Sequence, residues 1–183
     1  MSGFVLWFTG LSAAGKTTVG SLVARELEER GHVVEVLDGD VIRTHLSHGL
    51  GYSKEDRDTN VARIGWVASR IARAGGTVVV SAISPYEEAR QRARALVEEN
   101  APFVEIHVAT PLEVCAERDP KGLYAKALSG EIEHFTGVSD PYEEPSNPEL
   151  RLHTEGRDPA DSAAAVVARL EELELVTPKE RVS

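Results

Sequence analysis

Residues 10–17 read Gly10-Leu11-Ser12-Ala13-Ala14-Gly15-Lys16-Thr17. This is the spacing G-x-x-x-x-G-K-[ST], and it lies between an apolar run, Phe4 to Thr9, and an amphipathic helical pattern over 16–30. The two glycines let backbone N–H groups turn inward around phosphate oxygens, and the N-terminus of the following helix adds a favourable dipole. A strand, such a loop and a helix in this order predict a phosphate-binding P-loop.

The motif also predicts which residues bind a nucleotide. Lys16 is expected to reach the β- and γ-phosphates of ATP and to act as a catalytic residue, and the Thr17 hydroxyl is expected to be a ligand of Mg²⁺. We predict an ATP site made of the loop and the residue after it: Gly10, Leu11, Ser12, Ala13, Ala14, Gly15, Lys16, Thr17 and Thr18.

Outside the loop, short apolar runs alternate with longer helical patterns. Strands are expected at 4–9, 33–37, 77–83, 103–108 and 150–153, and helices at about 16–30, 55–74, 86–100, 112–118 and 159–173. Nearly continuous apolar runs are typical of strands that are covered on both faces, and strand–helix alternation implies right-handed crossovers. The sequence therefore predicts a three-layer α/β/α P-loop NTPase fold with a mainly parallel five-stranded sheet.

The chain of 183 residues has the length of a single domain, which we predict to span 1–176. The stretch 119–149 is rich in Gly, Pro, Asp and Glu and poor in aliphatic residues. A weakly apolar connection of that length is usually a functional lid or is disordered, and here we predict a lid. Residues 177–183 are expected to be a C-terminal tail.

Composition narrows the possible partners. The formal charge is -10, so long-range attraction to nucleic acid is not expected, although a local cluster of arginines can still bind a small anion. Cys115 is the single cysteine, which excludes an internal disulfide and favours a reducing compartment. No stretch reaches the length of a membrane span, and the apolar N-terminus lacks the basic residues of a signal peptide. We expect a cytoplasmic protein that binds no membrane.

Two carboxylates follow the second predicted strand as Asp38-Gly39-Asp40. Ligands bind at the carboxyl ends of parallel strands, so one of these groups is expected to help hold Mg²⁺ or to deprotonate an acceptor hydroxyl. The alternative is an N-cap for the helix that starts near Val41, and both roles are compatible. The N-K-x-D signature of guanine recognition is absent, and the third strand lacks the terminal Asp of a Walker B strand. These features favour a small-molecule kinase over a GTPase or a motor ATPase.

Further motifs occur in a fixed order after the P-loop. They read Asp38-Gly39-Asp40 with Arg43, Leu50-Gly51-Tyr52-Ser53, Asp56-Arg57, Asn60, Ile83-Ser84-Pro85-Tyr86, Glu117-Arg118-Asp119-Pro120-Lys121-Gly122-Leu123-Tyr124, and Phe135-Thr136-Gly137. With the P-loop, this series resembles the adenylylsulfate kinase family over about residues 4–153. The resemblance implies a reaction of ATP with adenosine 5′-phosphosulfate that gives ADP and 3′-phosphoadenosine 5′-phosphosulfate.

The resemblance also implies an acceptor site. Its members are Asp38, Asp40, Arg43, Tyr52, Arg57, Asn60, Ile83, Ser84, Lys121, Leu123, Phe135 and Thr136. Arginine forks suit the anionic phosphosulfate, and Tyr52 and Phe135 match the aromatic pair that stacks on adenine. From the residues alone, the arginines could equally be surface charges, and the aromatic residues could be ordinary packing.

For catalysis, we expect direct transfer to the 3′-hydroxyl, with Asp40 as the base and, beside Thr17, as a metal ligand. Ser84 is predicted to be a catalytic residue that hydrogen-bonds at the acceptor, although a simple Ser-Pro turn would explain it as well. Arg118, which the resemblance adds to the predicted ATP site, and Lys121 are expected to close over the phosphates and exclude water.

The chain departs from the family pattern at several positions, among them Ala62, Trp66 and Ala82. These departures leave open a related P-loop kinase that acts on another nucleotide-linked metabolite or small hydroxyl acceptor. A nucleotide-binding module without turnover is a further alternative. The resemblance suggests a homodimer and a functional link to an ATP sulfurylase, which would supply the substrate.

Overall fold

Five parallel strands form the centre of the structure, a computed structural model that describes residues 3–178. The strands are β1 (Val5–Thr9), β2 (Val34–Asp38), β3 (Thr77–Ser81), β4 (Phe103–Val108) and β5 (Leu150–Leu152). Their order in the sheet is β2-β3-β1-β4-β5, and each neighbouring pair is parallel. The predicted parallel five-stranded sheet is confirmed.

Seven helices are present among the described residues. They are α1 (Lys16–Glu29), α2 (Gly39–His45), α3 (Lys54–Arg73), α4 (Glu87–Glu98), α5 (Leu112–Arg118), α6 (Leu123–Leu128) and α7 (Pro159–Glu172). The bounds of the five predicted helices agree with the structure to within two residues. Helix α6 was not predicted, because its six residues are too few to show a clear apolar period. The third strand was predicted too long: it ends at Ser81, since the chain leaves the sheet before Ser84, where φ is 42°.

Both faces of the sheet are apolar because helices cover both. Side chains alternate along β1, so that Leu6 and Phe8 face the layer of α1 and α7, whereas Val5 and Trp7 face the layer of α3 and α4. All four are fully buried, and burial of a side chain of this size contributes about 1.5–3 kcal/mol. This two-sided burial explains why the strands read as continuous apolar runs.

The parallel arrangement brings the carboxyl ends of the strands to one edge of the sheet. The P-loop follows β1 there, residues 38–40 follow β2, and residues 82–86 follow β3. Segments that are far apart in sequence therefore surround one space, as is usual for ligand sites in open α/β sheets.

The segment 119–149 contains α6 and a Pro-rich stretch that leads to β5, and its role as a lid stays a prediction. Of the predicted tail, Thr177 follows α7 and its carbonyl accepts a hydrogen bond from Arg30, whereas 179–183 lie outside the described residues. Within the described range, none of the helices has the length and apolarity to cross a bilayer.

Candidate active site

The P-loop connects β1 to α1 in a tight backbone path. Gly10 lies so close to β4 that a Cβ there would be 2.5 Å from the carbonyl oxygen of Val108. Gly15 has φ 107°, in the left-handed region that favours glycine, and it is the N-cap residue of α1. The two glycines of the motif are therefore required by packing and by backbone conformation respectively.

Lys16 begins α1 and folds back over the loop. Its Nζ donates hydrogen bonds to the carbonyl oxygens of Gly10 at 3.0 Å and Leu11 at 2.7 Å. The side chain is buried, and burial lowers the pKa of Lys16 to about 8. A largely desolvated ammonium group in a ring of carbonyls is poised to bind an anion that enters the loop.

Thr17 and Asp38 connect the P-loop to the end of β2. The Thr17 hydroxyl donates to Oδ2 of Asp38 at 2.8 Å, and Oδ1 of Asp38 accepts from the backbone N–H of Asp40 at 3.0 Å. Asp38 is thus the N-cap of α2, as one interpretation of the sequence held, and it also faces Thr17. Asp40 instead forms an ion pair with Lys121.

A hydroxyl and a carboxylate this close are the hard oxygen donors that Mg²⁺ prefers. In residues 3–178 there is no group of three or more His, Cys, Asp or Glu side chains that could hold a metal ion. That sparse protein contribution fits an ion whose remaining ligands are phosphate oxygens and water.

One cavity of about 770 Å³ opens above the P-loop, a volume in the range of small-molecule sites. Every predicted acceptor-site residue lines it: Asp38, Asp40, Arg43, Tyr52, Arg57, Asn60, Ile83, Ser84, Lys121, Leu123, Phe135 and Thr136. From the predicted ATP site, it is lined by Ser12, Ala13, Gly15, Lys16, Thr17, Thr18 and Arg118.

Three residues of the predicted ATP site do not line this cavity. Gly10 and Leu11 direct their carbonyls toward Lys16, and Ala14 is fully buried. The Ala14 carbonyl accepts hydrogen bonds from Thr110 at 2.9 Å and Thr154 at 2.8 Å. These residues fix the shape of the loop.

Two arginines converge at the far end of the cavity. The Cζ atoms of Arg43 and Arg57 lie 4.3 Å and 5.3 Å from the ring centroid of Tyr52. Arg57 is buried, and its Nη2 donates to the carbonyl of His134 at 2.6 Å. Neither guanidinium has an ion-pair partner among the described residues, and both side chains line the cavity. Such a pair suits a bound anion.

Other polar groups at this end also lack partners within the described chain. Oδ1 of Asn60 and Oγ1 of Thr136 are buried without a hydrogen bond. Unpaired buried polar atoms are costly, and a ligand that supplies the missing bonds is a common reason for them. Phe135 lies beside them, nearly buried, with its ring edge-on to Tyr124 at 4.9 Å.

Ser84 lies in the loop 82–86 after β3, in the left-handed region with φ 42°, and precedes Pro85. Its Oγ accepts a hydrogen bond from Nε1 of Trp7 at 3.0 Å and donates to the carbonyl of Ala82 at 3.3 Å. No hydrogen-bonded turn is present over residues 82–86, and Ser84 lines the cavity.

Sequence reasoning missed Thr154, which follows β5. Its Oγ1 hydrogen-bonds to Thr110 at 2.6 Å and accepts from Arg118 at 3.0 Å, and its carbonyl accepts from the second Nη of Arg118 at 3.1 Å. Thr154 lines the cavity together with Arg157 and Pro159. The available signal was position: Thr154 directly follows a parallel strand at the carboxyl edge of the sheet.

Comparisons with known proteins agree with this geometry. The family model described as Adenylylsulphate kinase matches residues 2–153. The Adenylyl-sulfate kinase of Halothermothrix orenii is 52% identical over 93% of this chain and 90% of its own length. The Probable bifunctional SAT/APS kinase 2 of Sorangium cellulosum is 54% identical over 94% of this chain, and the match spans 29% of that longer protein.

Among solved structures, the Mycobacterium tuberculosis APS kinase CysC in complex with AMPPNP and APS superimposes with a TM-score of 0.89 at 47% identity. The superposition covers 93% of this chain and 98% of that chain. A match over most of the chain at this identity shows common family membership. The chain therefore belongs to the adenylylsulfate kinase family.

Proposed function

We propose that this protein transfers the γ-phosphate of ATP to the 3′-hydroxyl of adenosine 5′-phosphosulfate. The observation that carries the proposal is that the P-loop lysine and the unpaired arginines Arg43 and Arg57 line one continuous cavity. A nucleotide-binding module without turnover would need the P-loop but not this second anion site. Family membership and the solved relative with bound AMPPNP and APS support the same activity.

On the donor side, the P-loop amides, Lys16 and Thr18 are expected to bind the phosphates of ATP. Arg118 lies beside them, and its Nη1 is 3.3 Å from the carbonyl oxygen of Ala13. The Thr17 hydroxyl would hold Mg²⁺, directly or with the Asp38 carboxylate that faces it, and Asp40 remains a second predicted ligand. When bound, the ion supplies positive charge that neutralises the phosphates.

On the acceptor side, Arg43 and Arg57 would bind the phosphosulfate, whereas Tyr52 and Phe135 would contact the adenine. Tyr52 is half-exposed and already packs against both guanidiniums, so a stacked base would extend an existing layer. Asn60 and Thr136 offer the unpaired buried oxygens described above. Ile83 and Leu123 supply apolar walls to the same cavity.

The transfer step needs a proton acceptor and an in-line arrangement. Asp40 would take the proton of the 3′-hydroxyl while that oxygen forms a bond to the γ-phosphorus, and the bond from the γ-phosphorus to the bridging oxygen of ADP breaks. Lys121 holds the Asp40 carboxylate in an ion pair. Ser84 would hydrogen-bond at the acceptor. Lys16 would stay protonated beside the charge that develops on the leaving group.

We assign the segment 119–149 the role of a lid over this reaction. It carries Lys121, and Tyr124 within it donates from its hydroxyl to the carbonyl of Ser12 at 2.8 Å. Contacts of the segment to both the P-loop and Asp40 support closure over bound phosphates, which would exclude water as a competing acceptor.

The proposal includes a cytoplasmic homodimer that uses adenosine 5′-phosphosulfate made by an ATP sulfurylase. A buried, unpaired Cys115 suits a reducing compartment. One structural relative is described as a hexameric APS kinase from Thiobacillus denitrificans.

The alternative of a different acceptor loses support from the position of the unusual residues. Ala62 and Trp66 are exposed on the outer side of α3, and neither lines the cavity. Only Ala82, of the three, contacts that space. A changed acceptor would require changes in the cavity wall, and every residue of the predicted acceptor site lies in that wall.

The test is ADP production with Mg·ATP and adenosine 5′-phosphosulfate, beside an Asp40→Ala variant and a control without acceptor. We expect turnover that depends on the acceptor and is nearly abolished in the variant. Folded protein that binds ATP but gives no acceptor-dependent ADP would refute the substrate assignment, and a screen of other hydroxyl acceptors would follow.

A further inference from the structure

Arg90 is a fully buried arginine on α4, outside the cavity wall. Burial of a guanidinium is unfavourable unless its charge and its donors are satisfied. The charge is compensated by Glu87, which forms an ion pair with Nη2, and by Glu105, whose Oε1 lies 3.0 Å from Nε. The hydrogen-bond partners of the Arg90 guanidinium therefore indicate which parts of the structure it holds.

Two of the donors reach backbone carbonyls on different segments. Nη1 donates to the carbonyl of Ser84 at 2.7 Å, and Nη2 donates to the carbonyl of Glu143 at 2.7 Å. In contrast, Nε and the near oxygen of Glu105 lie close without the geometry of a hydrogen bond. Glu105 thus supplies charge, whereas the directed hydrogen bonds hold two loops.

The first of these loops carries the acceptor end of the site. Ser84 has φ 42°, a backbone conformation that is unfavourable for a residue other than glycine. Such a conformation persists only where the surroundings fix it. The Arg90 hydrogen bond to the Ser84 carbonyl and the Trp7 hydrogen bond to its hydroxyl fix it from two directions.

The second loop is the end of the lid segment, and it is joined to the first by reciprocal hydrogen bonds. The backbone N–H of Glu143 donates to the carbonyl of Pro85 at 2.8 Å. The backbone N–H of Glu87 donates to Oε2 of Glu143 at 2.8 Å. Arg90 lies between these bonds and contacts both loops, so it is positioned to keep them in register.

We propose that Arg90 is a positioning residue for the acceptor. By holding the carbonyls of Ser84 and Glu143, it fixes the loop 82–86 relative to the end of the lid at residues 141–144. This inference rests on the proposed function. In this inference, Arg90 contacts neither substrate and acts by fixing the position of Ser84. A purely structural ion pair with Glu105 is the competing explanation.

Arg94 provides a matched control, since it lies one turn further along α4 and belongs to the same charge cluster. Its guanidinium binds both carboxylate oxygens of Glu149 at 2.9 Å and lies 3.6 Å from Glu105. None of the hydrogen bonds described for Arg94 reaches residues 82–86 or 141–144. Arg94→Lys therefore perturbs the ion pairs with Glu149 and Glu105 without perturbing the loop 82–86.

The experiment compares Arg90→Lys with Arg94→Lys in steady-state kinetics and thermal unfolding. For Arg90→Lys we expect kcat/KM for adenosine 5′-phosphosulfate to fall about 10- to 100-fold, while KM for ATP stays within about twofold. Arg94→Lys should lower the Tm by a similar amount and leave both kinetic parameters nearly unchanged. Equal kinetic losses in the two variants, or no acceptor effect in Arg90→Lys, would overturn the proposal.

A second readout does not depend on turnover. Hydrogen exchange at the amides of Glu87 and Glu143 should become faster in Arg90→Lys, while amides in the middle of α4 keep their protection. Faster exchange along the whole of α4 would indicate a structural role and overturn the inference. If wild-type protein binds ATP but does not phosphorylate the acceptor, the proposed function fails, and the exchange pattern alone decides the role of Arg90.

If Arg90→Lys does not fold, the double variant Arg90→Gln with Glu105→Gln removes both buried charges together. We expect this variant to fold and to show the same selective loss of acceptor kcat/KM. Wild-type acceptor kinetics in the double variant would contradict the proposal.

Discussion

Lys121 forms an ion pair with Asp40, although the two residues are 81 positions apart in sequence. Both side chains are more than half exposed, so the pair contributes little to stability. The hydrogen bond to Asp40 raises the pKa of Lys121 and keeps it charged. The significance of the pair is positional, because it joins the lid segment to the carboxylate that we propose as the base.

Replacement of Lys121 by Met should therefore impair catalysis without impairing folding. We expect kcat/KM for the acceptor to fall about 10- to 100-fold, because the carboxylate loses the group that orients it and the phosphates lose a positive charge. The measurement is ADP production at varied acceptor concentration, with the Tm recorded beside it. Lys126→Met is the matched control, since Lys126 is an exposed lysine on neighbouring α6.

The mechanism of that loss is tested by a double-mutant cycle with Asp40→Asn. If Lys121 acts through Asp40, its replacement should cost much less in the Asp40→Asn background than in the wild type. Additive losses would show that Lys121 and Asp40 act independently, and the positional argument would fail.

Tyr52 offers a clean test of base stacking at the acceptor site. Because it is 53% exposed and packs mainly against Arg43 and Arg57, Tyr52→Ala should leave the Tm nearly unchanged. Loss of one stacking surface should raise KM for the acceptor by a factor that corresponds to about 1–3 kcal/mol. Tyr52→Phe keeps the ring and should bind the acceptor almost normally. A normal KM in Tyr52→Ala would mean that the ring serves only to order the arginines.

Local motifs allowed the P-loop to be predicted from sequence, since one continuous stretch contains its whole signature. The sequence did not show that Asp38 faces Thr17 whereas Asp40 pairs with Lys121, because this depends on the end of β2 lying beside Thr17. Thr154 was missed for a similar reason, since its importance arises from contacts with Thr110 and Arg118.

The location of Trp66, in contrast, could have been predicted from the sequence. Its departure from the family pattern suggested a different acceptor. The helical period, however, already places Trp66 on the exposed side of α3, away from the site. Val61, Ile64 and Ala68 form the buried stripe of α3, and a residue two positions after Ile64 points away from it. The position of Trp66 within the helical period therefore predicted its location better than its departure from the family pattern did.

The contact between α3 and α4 depends on the absence of a side chain at Gly65. A Cβ there would lie 2.9 Å from the Cβ of Ala93 and 3.2 Å from its Cα. Gly65→Ala should therefore destabilise the protein by about 1–3 kcal/mol through overpacking, offset by up to about 1 kcal/mol of helix propensity. Urea unfolding monitored by circular dichroism measures the free energy of unfolding.

Ala93→Gly supplies the compensating change. The double variant Gly65→Ala with Ala93→Gly should recover part of the lost stability, because the two substitutions exchange the methyl group across the interface. If Gly65→Ala is as stable as the wild type, then the helices separate at no cost, and close packing at this point does not limit stability.

His107 makes the stability of the fold depend on acid pH. It lies on β4, is 2% exposed and stacks on Tyr142 with ring centroids 5.7 Å apart. Burial, and then the positive charge of Arg151, lower the pKa of His107 to about 4. Above pH 6.5 the imidazole is neutral in both states, whereas between pH 6.5 and 4 the unfolded chain binds a proton that the folded chain excludes. The free energy of unfolding must therefore decrease as the pH falls through this range.

From the difference in pKa, His107 should account for a loss of up to about 3 kcal/mol between pH 6.5 and 4. His107→Gln removes the titrating group, so its stability should depend less on pH over that interval than that of the wild type. His48→Gln, at an exposed position, should retain the full wild-type dependence. Urea unfolding at half-unit pH steps measures the three slopes. If His107→Gln and wild type lose stability in parallel, then carboxylate titration alone governs acid unfolding, and the buried imidazole is already protonated or hydrated in the folded protein.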